Sequence, residues 1–233
     1  MRLRCVCALA VALAAAVLSA SGADVSGRVI VKRKLTHWNV TAAAPAYGRG
    51  VTVPLEADRG VDPLAFERTH VAIYLEKRGG SLPEPQQPVD IAQQGRRFVP
   101  DMVVIPAGGV VSFPNLDPIF HNVFSLSKAK SFDLGNYSRN HSRTVVFPKP
   151  GIVFVNCHLH PNMAAVIVVA PGAWFTRPDA AGEFSLRGVP PGEYTIVAWH
   201  KTAGFFRQKI SVPLPATAHV EFFLPLGEEA ARN

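Results

Sequence analysis

The segment Asn156-Cys-His-Leu-His-Pro-Asn-Met163 contains the side chains with the most distinctive chemistry in the chain. Cys157, His160 and Met163 stand three residues apart, a spacing that lets one tight turn direct a thiolate, an imidazole and a thioether at one point. A soft thiolate with one or two imidazoles and a weak thioether contact suits copper in both oxidation states, whereas structural zinc sites use four strong ligands. The pattern predicts a copper site in this loop.

A further imidazole has to come from another part of the chain. His121 is the best placed of the eight histidines, because it lies where a loop ends and a predicted strand begins, 36 residues before Cys157. That separation is long enough to place it on a different strand of the same sandwich. Met102 is interpreted as a core residue. The other scattered histidines, interpreted as surface or hydrogen-bonded core residues, are His37, His70, His141, His200 and His219.

The chemistry is concentrated in a His121-Asn122 pair and a Cys157-x-x-His160-Pro161-x-Met163 loop. On these residues, the segment from about residue 86 to residue 170 resembles the cupredoxins, in particular the amicyanin-like and methylamine-utilisation-associated cupredoxins. The resemblance implies one type 1 copper ion with three trigonal ligands and one axial ligand. By that pattern the trigonal ligands are His121, Cys157 and His160, and the axial ligand is Met163.

The resemblance also implies roles for the residues around the ligands, which are Asn122, His158 and Pro161. The backbone N–H of Asn122 would donate a hydrogen bond to the thiolate, stabilising it and tuning the redox potential. Many cupredoxins carry Ser or Thr after the Cys, as a partner for this Asn. Here His158 occupies that position, so a hydrogen bond between the two loops is in question.

His158 also permits a second interpretation. A His beside the Cys of a type 1 site connects it to a second copper in multicopper enzymes. We expect the His158 side chain to point away from the copper instead, because neighbouring residues on a strand or its extension alternate faces. No His-x-His pair occurs elsewhere in the chain, and a second copper would need several more imidazoles.

Apolar residues flank the predicted ligands on both loops. If His160 reaches the surface, as the resemblance implies, these side chains would form a patch where redox partner proteins dock. Ordinary loop packing is the alternative. The docking patch consists of Pro118, Ile119, Phe120 and Leu159.

The elements that must position these residues are strands. Short β-branched and aromatic runs alternate with Gly, Pro, Asn and Asp turns, and hardly any ten-residue stretch has a helical period. The pattern predicts an all-β chain built from sandwiches. The predicted strands are 26–32, 70–76, 97–105, 109–114, 122–126, 143–147, 151–157, 164–169, 182–186, 192–200 and 218–224.

A second module flanks the copper segment. Residues 182–199 contain two alternating strands joined by a Pro-Pro-Gly turn, and they resemble the transthyretin-like, carboxypeptidase regulatory-like sandwich, as do 26–31 and 71–75. The cupredoxin Greek-key sandwich, residues 86–170, would then be inserted in or appended to a module formed by 24–85 and 171–226, with a tail at 227–233. No catalytic grouping occurs in the flanks. Their carbohydrate-binding-like classification is an analogy of fold alone.

Residues 1–23 have the pattern of a secretory signal peptide, with Arg2 and Arg4 before an apolar run and small residues after it. Cleavage after Ala20 or Ala23 would leave Cys157 as the lone cysteine, a thiol that a metal could occupy or that could be buried and inert. We expect no transmembrane segment after cleavage.

The chain carries 24 Lys and Arg against 17 Asp and Glu, a net charge of +7, and loss of the two arginines of the signal peptide leaves +5. Without a basic block, this charge does not indicate nucleic-acid binding.

These observations predict a periplasmic or secreted blue copper protein that transfers single electrons between redox partners and is not an enzyme. One alternative is a periplasmic copper-handling protein without redox turnover. The other is a copper oxidase or reductase with a second metal near His158. The sequence does not indicate the electron donor or acceptor.

Overall fold

The computed structural model describes residues 22–36, 62–77, 87–213 and 216–225. His37, the tail 227–233 and the predicted signal peptide, apart from Gly22 and Ala23, lie outside these ranges. Within them the chain is almost entirely strand, so the predicted all-β class is confirmed. No helix in the described part is long and apolar enough to cross a membrane.

Within the described ranges, the elements are strands and a single short helix. They are β1 (Ala23–Val31), α1 (Ala65–Thr69), β2 (Val71–Leu75), β3 (Val89–Asp90), β4 (Ala92–Gln93), β5 (Phe98–Val99), β6 (Met102–Pro106), β7 (Gly109–Ser112), β8 (His121–Ser127), β9 (Lys130–Tyr137), β10 (Thr144–Phe147), β11 (Gly151–Asn156), β12 (Ala164–Ala170), β13 (Phe175–Thr176), β14 (Glu183–Val189), β15 (Gly192–His200), β16 (Gly204–Val212) and β17 (Ala218–Leu224).

The first and last parts of the chain form one pair of sheets, which we call the flanking sandwich. Its sheets have the orders β14-β1-β17 and β13-β2-β15-β16. Alternate residues of β1, such as Val25 and Val29, are buried and pack in one hydrophobic cluster with Ile73, Leu75 and Ile196. This period of two is what a sheet with one face on a core requires.

The middle of the chain forms a second pair of sheets, the central sandwich. A five-stranded sheet with the order β6-β12-β11-β8-β9 faces a three-stranded sheet with the order β10-β7-β3, and β4 pairs with β5 in a separate hairpin. Phe113 and Phe147 are fully buried in its core, and burial of each side chain contributes about 1.5–3 kcal/mol. Along β11, Val153 and Val155 face this core while Phe154 faces outward.

A third hydrophobic cluster joins the two sandwiches. Tyr74 and Trp199 of the flanking sandwich pack in it with Val166 and Val168 of β12. Met102 is buried in the same cluster, which confirms its interpretation as a core residue. The Arg177 guanidinium adds hydrogen bonds to the backbone carbonyl oxygens of Thr69 (2.9 Å) and Met102 (2.8 Å). The domain boundaries stated above stay a prediction.

Helix α1 carries a buried carboxylate. Glu67 is fully buried and accepts hydrogen bonds from the backbone N–H groups of Leu35 (2.9 Å) and Thr36 (2.7 Å). Its other oxygen accepts from Nε2 of His200, also buried, at 3.0 Å. Nδ1 of His200 lies 3.2 Å from the backbone nitrogens of Thr202 and Ala203, whose N–H groups donate to it. Both ring nitrogens and both carboxylate oxygens are therefore paired.

The structure contains elements that the sequence pattern did not predict. Strands β9 and β16 each lie at the edge of their sheet, and exposed or half-buried residues make up most of both. An edge strand with few buried positions gives only a weak apolar alternation. The predicted single strand 97–105 is wrong, since the chain forms β5 and β6 with Pro100 and Asp101 between them. Helix α1, at five residues, is too short for a helical period to be recognised.

Candidate metal centre

The sheet order brings the predicted ligands together. His121 opens β8 and Cys157 directly follows β11, and these strands are neighbours that pair at Asn156 and Phe124. His160 and Met163 lie in the loop between β11 and β12, where the Met163 N–H donates to the His160 carbonyl oxygen at 2.9 Å. A pair of adjacent strands and one loop thus supply all four predicted ligand residues.

Three of these side chains form a cluster that could hold a metal ion. The ligand atoms of His121, Cys157 and His160 all lie within 4.8 Å of one another. The two Nδ1 atoms are 3.0 Å apart, and Cys157 Sγ is 3.8 Å from His160 Nδ1. His121 and Cys157 are buried, whereas His160 is half-buried.

Two of these distances are close to those expected around one shared metal ion. With zinc bond lengths as a guide, about 2.0 Å to nitrogen and about 2.3 Å to sulfur, angles of roughly 100–120° place two nitrogens roughly 3.1–3.6 Å apart and a nitrogen and sulfur roughly 3.3–3.8 Å apart. The separations of 3.0 Å and 3.8 Å are close to these values. The three ligand atoms together lie within 4.8 Å of one another, so a small side-chain shift would bring all three to bonding distance of one ion.

His121 is oriented by Asp117, a residue that the sequence analysis missed. The Nε2–H of His121 donates to Asp117 Oδ2 at 2.8 Å, which leaves Nδ1 free to bind a metal. The same carboxylate accepts from the backbone N–H groups of Gly95 (2.7 Å) and Arg96 (2.8 Å). An acidic residue four positions before His121 was the available sequence signal.

The environment of Asp117 keeps it ionised. Burial raises the pKa of Asp117, but the hydrogen bonds from Arg96, His121 and Gly95 outweigh it, and the net pKa is lowered from the ordinary value. A carboxylate that remains charged is a strong acceptor for the imidazole N–H of His121. The pKa of His160 is also lowered, first by burial and then by the nearby His121 and Arg96, which favours the neutral ring that a metal requires.

The Asn122 backbone makes the contact that the cupredoxin resemblance implies. Its N–H donates to Cys157 Sγ at 3.4 Å. Its side-chain Oδ1 accepts from the backbone N–H of His158 at 3.4 Å, and its Nδ2 donates to Asp133 Oδ1 at 2.7 Å. The two ligand loops are therefore linked through the main chain of residue 158, so the link does not need Ser or Thr at that position.

The His158 side chain points away from the cluster, as expected. Its ring stacks on Phe124 with centroids 3.6 Å apart and planes inclined by 5°. Its Nε2 lies 3.6 Å from Asp133 Oδ2, and both side chains are more than half exposed. The N–H of Gly135 and the Asn122 amide lower the pKa of Asp133, so the carboxylate facing His158 is readily ionised.

Asn115 shapes the loop that precedes His121 and was likewise not predicted. Its buried Nδ2 donates to the carbonyl oxygens of Ile119 and Tyr137, both at 2.9 Å. Its Oδ1 accepts from the Asp117 N–H at 2.9 Å. An Asn side chain that bonds the backbone two residues on is a common turn device. Here it places Asp117 for its contact with His121.

Met163 is fully buried and belongs to the same hydrophobic cluster as Cys157. Its role as axial ligand stays a prediction. The other described histidines make contacts elsewhere. His70 bonds Asp101 (3.0 Å), His141 bonds Ser138 (3.2 Å) and His219 bonds Ser26 (2.8 Å).

The predicted docking patch is largely exposed. Phe120 and Leu159 expose 59% and 46% of their surface, Pro118 is exposed and Ile119 is half-buried. Leu116, 44% exposed, lies on the same loop and extends the apolar surface. Pro161, also exposed, follows His160 directly. Exposed apolar side chains thus lie on both of the loops that carry His121 and His160.

No family model matches the chain, and no curated protein matches it. Among solved structures, the copper-containing nitrite reductase from Thermus scotoductus SA-01 is 24% identical with a TM-score of 0.35, over 40% of this chain and 25% of the reductase chain. The purple cupredoxin from Nitrosopumilus maritimus is 21% identical with a TM-score of 0.32, over 35% of this chain and 99% of that chain.

A reduced mutant of amicyanin is 16% identical with a TM-score of 0.34, over 43% of this chain and 98% of that chain. Because all three TM-scores lie below 0.5, the function of this chain has to be inferred from the geometry of its own site.

Proposed function

We propose that this chain binds one copper ion in a type 1 site and transfers single electrons between redox partner proteins. The observation that carries the proposal is the arrangement of one cysteine sulfur and two imidazole nitrogens within 4.8 Å of one another. This donor set, with a thioether as a weak fourth ligand, is the one that blue copper sites use. The proposed ligands are His121, Cys157, His160 and Met163.

The residues around the cluster support electron transfer rather than loose metal storage. Asp117 and Asn115 orient His121, and the two ligand loops are linked at Asn122. The Asn122 N–H donates a hydrogen bond to Cys157 Sγ at 3.4 Å. A bound copper ion would supply the reversible Cu(I)/Cu(II) couple. Ligands held in place by such contacts change position little between oxidation states, as rapid electron transfer requires.

His160 provides the route by which electrons would pass between the copper site and the protein surface. It is half-buried, whereas His121 and Cys157 are buried and Phe120 and Leu159 are exposed. Electrons would enter and leave through this ring while the docking patch excludes water from the contact. The contacts of His158 with Phe124 and Asp133 give no support to an enzyme with a second metal at that residue.

The location and modular organisation belong to the same proposal. Export by a signal peptide at residues 1–23 would place the protein in the periplasm or outside the cell, and residues 24–85 with 171–226 would form the transthyretin-like module. Ala23 is buried and pairs with Val189 as the first residue of β1. Cleavage after Ala20 would leave this strand whole, so the mass of the exported protein should correspond to that site.

The test is the colour of the copper-loaded protein. We expect purified protein with Cu(II) to be intensely blue through thiolate-to-copper charge transfer, to hold one copper per chain and to give a reversible voltammetric wave. Cys157→Ser should abolish the colour, whereas His141→Ala, which changes an exposed histidine outside the cluster, should keep it. A colourless Cu(II) complex with intact Cys157, or copper exchange without a redox wave, would overturn the proposal.

A further inference from the structure

Two arginines lie at the tip of the β4–β5 hairpin, beside the docking patch. Gln94 and Arg97 close the turn with two backbone hydrogen bonds of 2.9 Å and 3.2 Å, and Gly95 and Arg96 occupy its centre with φ of 61° and 56°. Two positive φ values identify a type I′ hairpin turn. The left-handed region is unfavourable for Arg, so other contacts have to hold Arg96 there.

Asp117 supplies those contacts. Its two carboxylate oxygens accept the N–H groups of Gly95 and Arg96 and also the Nε2–H of His121. The hairpin tip is thereby fixed to the loop that carries a proposed copper ligand. Among the described residues, the ion-pair partner of this carboxylate is His121 and not the Arg96 guanidinium.

Residues of the hairpin tip and of the docking patch line one groove of about 350 Å³. It is lined by Gly95, Arg96, Asp117, Pro118 and Ile119. Arg96 and Arg97 are exposed, and within the described ranges neither guanidinium has an ion-pair or hydrogen-bond partner. A pair of unpartnered positive charges therefore borders an apolar surface around His160.

We infer that this face receives a redox partner protein whose contact surface is apolar at the centre and carries carboxylates at the edge that pair with Arg96 and Arg97. The inference rests on the proposed electron-transfer function and names the chemistry of the partner. Arg pairs with carboxylates through two parallel hydrogen bonds, which fixes orientation as well as adding attraction. Opposite charge at the rim of an apolar contact also speeds encounter.

The experiment measures electron exchange with two small redox probes of opposite charge. Ferricyanide, an anion, and tris(phenanthroline)cobalt(III), a cation, would each oxidise the Cu(I) protein at low ionic strength. Reversing both charges with R96E and R97E should slow the reaction with ferricyanide by about tenfold and accelerate the reaction with the cobalt complex, because local charge steers encounter. High salt should remove the difference.

The matched control reverses two exposed charges on the flanking sandwich, R187E and K209E, which changes the net charge by the same amount. We expect it to change either rate by less than about twofold. Arg97→Glu alone, which leaves the left-handed residue untouched, is the second variant if the double variant does not fold. Equal effects of the hairpin and control variants on the two rates would overturn this inference but leave the proposed function standing. Failure of the wild-type protein to exchange electrons with both probes would overturn the proposed function and the inference with it.

Discussion

His121 donates its Nε2–H to Asp117 at 2.8 Å, and this bond determines which nitrogen of the ring is available to a metal. Asp117→Asn keeps the shape of the side chain but removes the negative charge. We expect copper affinity to fall by roughly 10–100-fold, the usual effect of changing a residue that orients a ligand. Competition with a copper chelator measures it. Asp133→Asn, which changes a carboxylate that bonds Asn122 instead, is the control, and equal losses in both variants would contradict this role for Asp117.

The hydrogen bond between His158 and Asn122 predicts different effects on copper binding when each of these two residues is substituted. His158→Ala keeps the backbone N–H that bonds Asn122, so the blue colour should persist. Loss of the stack on Phe124 should lower the free energy of unfolding by about 0.5–1.5 kcal/mol. Asn122→Ala removes the side-chain acceptor of that N–H and should weaken copper retention. Absorption spectra and copper release rates test both, and loss of colour in His158→Ala would mean that its ring acts at the metal.

Met163 has a packing role and a proposed ligand role, which two substitutions separate. Met163→Leu nearly conserves volume and should cost less than about 1.5 kcal/mol of stability, whereas Met163→Ala should cost about 2–5 kcal/mol by leaving a cavity. If the sulfur is the axial ligand, the Leu variant should also show a changed copper spectrum and redox potential. Denaturant unfolding and voltammetry provide the two readouts. An unchanged spectrum in the Leu variant would mean that Met163 has a packing role and is not a copper ligand.

The buried pair of Glu67 and His200 predicts loss of stability in acid. Burial raises the pKa of Glu67, but hydrogen bonds from Thr36 and Leu35 outweigh it, so the net pKa is lowered from 4.5; burial lowers the pKa of His200 from 6.5. Below about pH 6.5 the unfolded chain therefore takes up a proton on this His that the folded protein resists. Stability falls as the pH decreases, first through His200 and further through Glu67 below about pH 4.5.

The measurement is the melting temperature across this pH range, in the Cys157→Ser background so that copper binding does not contribute. In His200→Gln the fall between about pH 7 and about pH 5 should be smaller, because the residue no longer titrates. Glu67→Gln should instead flatten the curve at lower pH. Identical curves for the parent and His200→Gln would show that this histidine does not set the dependence.

The sequence was sufficient to predict those features of the fold and the site that depend on side-chain type. Cys157 and His160 are close in the chain, and His121 lies where a loop ends and an apolar run begins, so the cluster and the all-β class could both be predicted. The hydrogen bonds that orient the clustered side chains could not be predicted. The acceptor role of Asp117 depends on backbone N–H groups of Gly95 and Arg96, in a hairpin whose strands have two residues each. Such short strands have no recognisable period.

The role of residue 158 shows the same limit. Its side chain suggested either a missing hydrogen bond or a second metal, whereas the structure uses its main-chain N–H, a group that almost every residue type possesses. Edge strands β9 and β16 were overlooked because an edge exposes most of its side chains. Sequence patterns report burial and chemical type, and they report main-chain hydrogen bonds only indirectly.

The buried cluster between the sandwiches has a consequence for how far the proposed copper loop can reach. Trp199 packs in this cluster with Val166 of β12, the strand that follows the loop, and Arg177 bonds the backbone on both sides of the contact. The central sandwich is therefore held against the flanking sandwich by packed side chains and hydrogen bonds. A molecule held by the flanking sandwich would face the loop at one distance and one orientation, and its effective concentration there would depend on that geometry instead of on free diffusion.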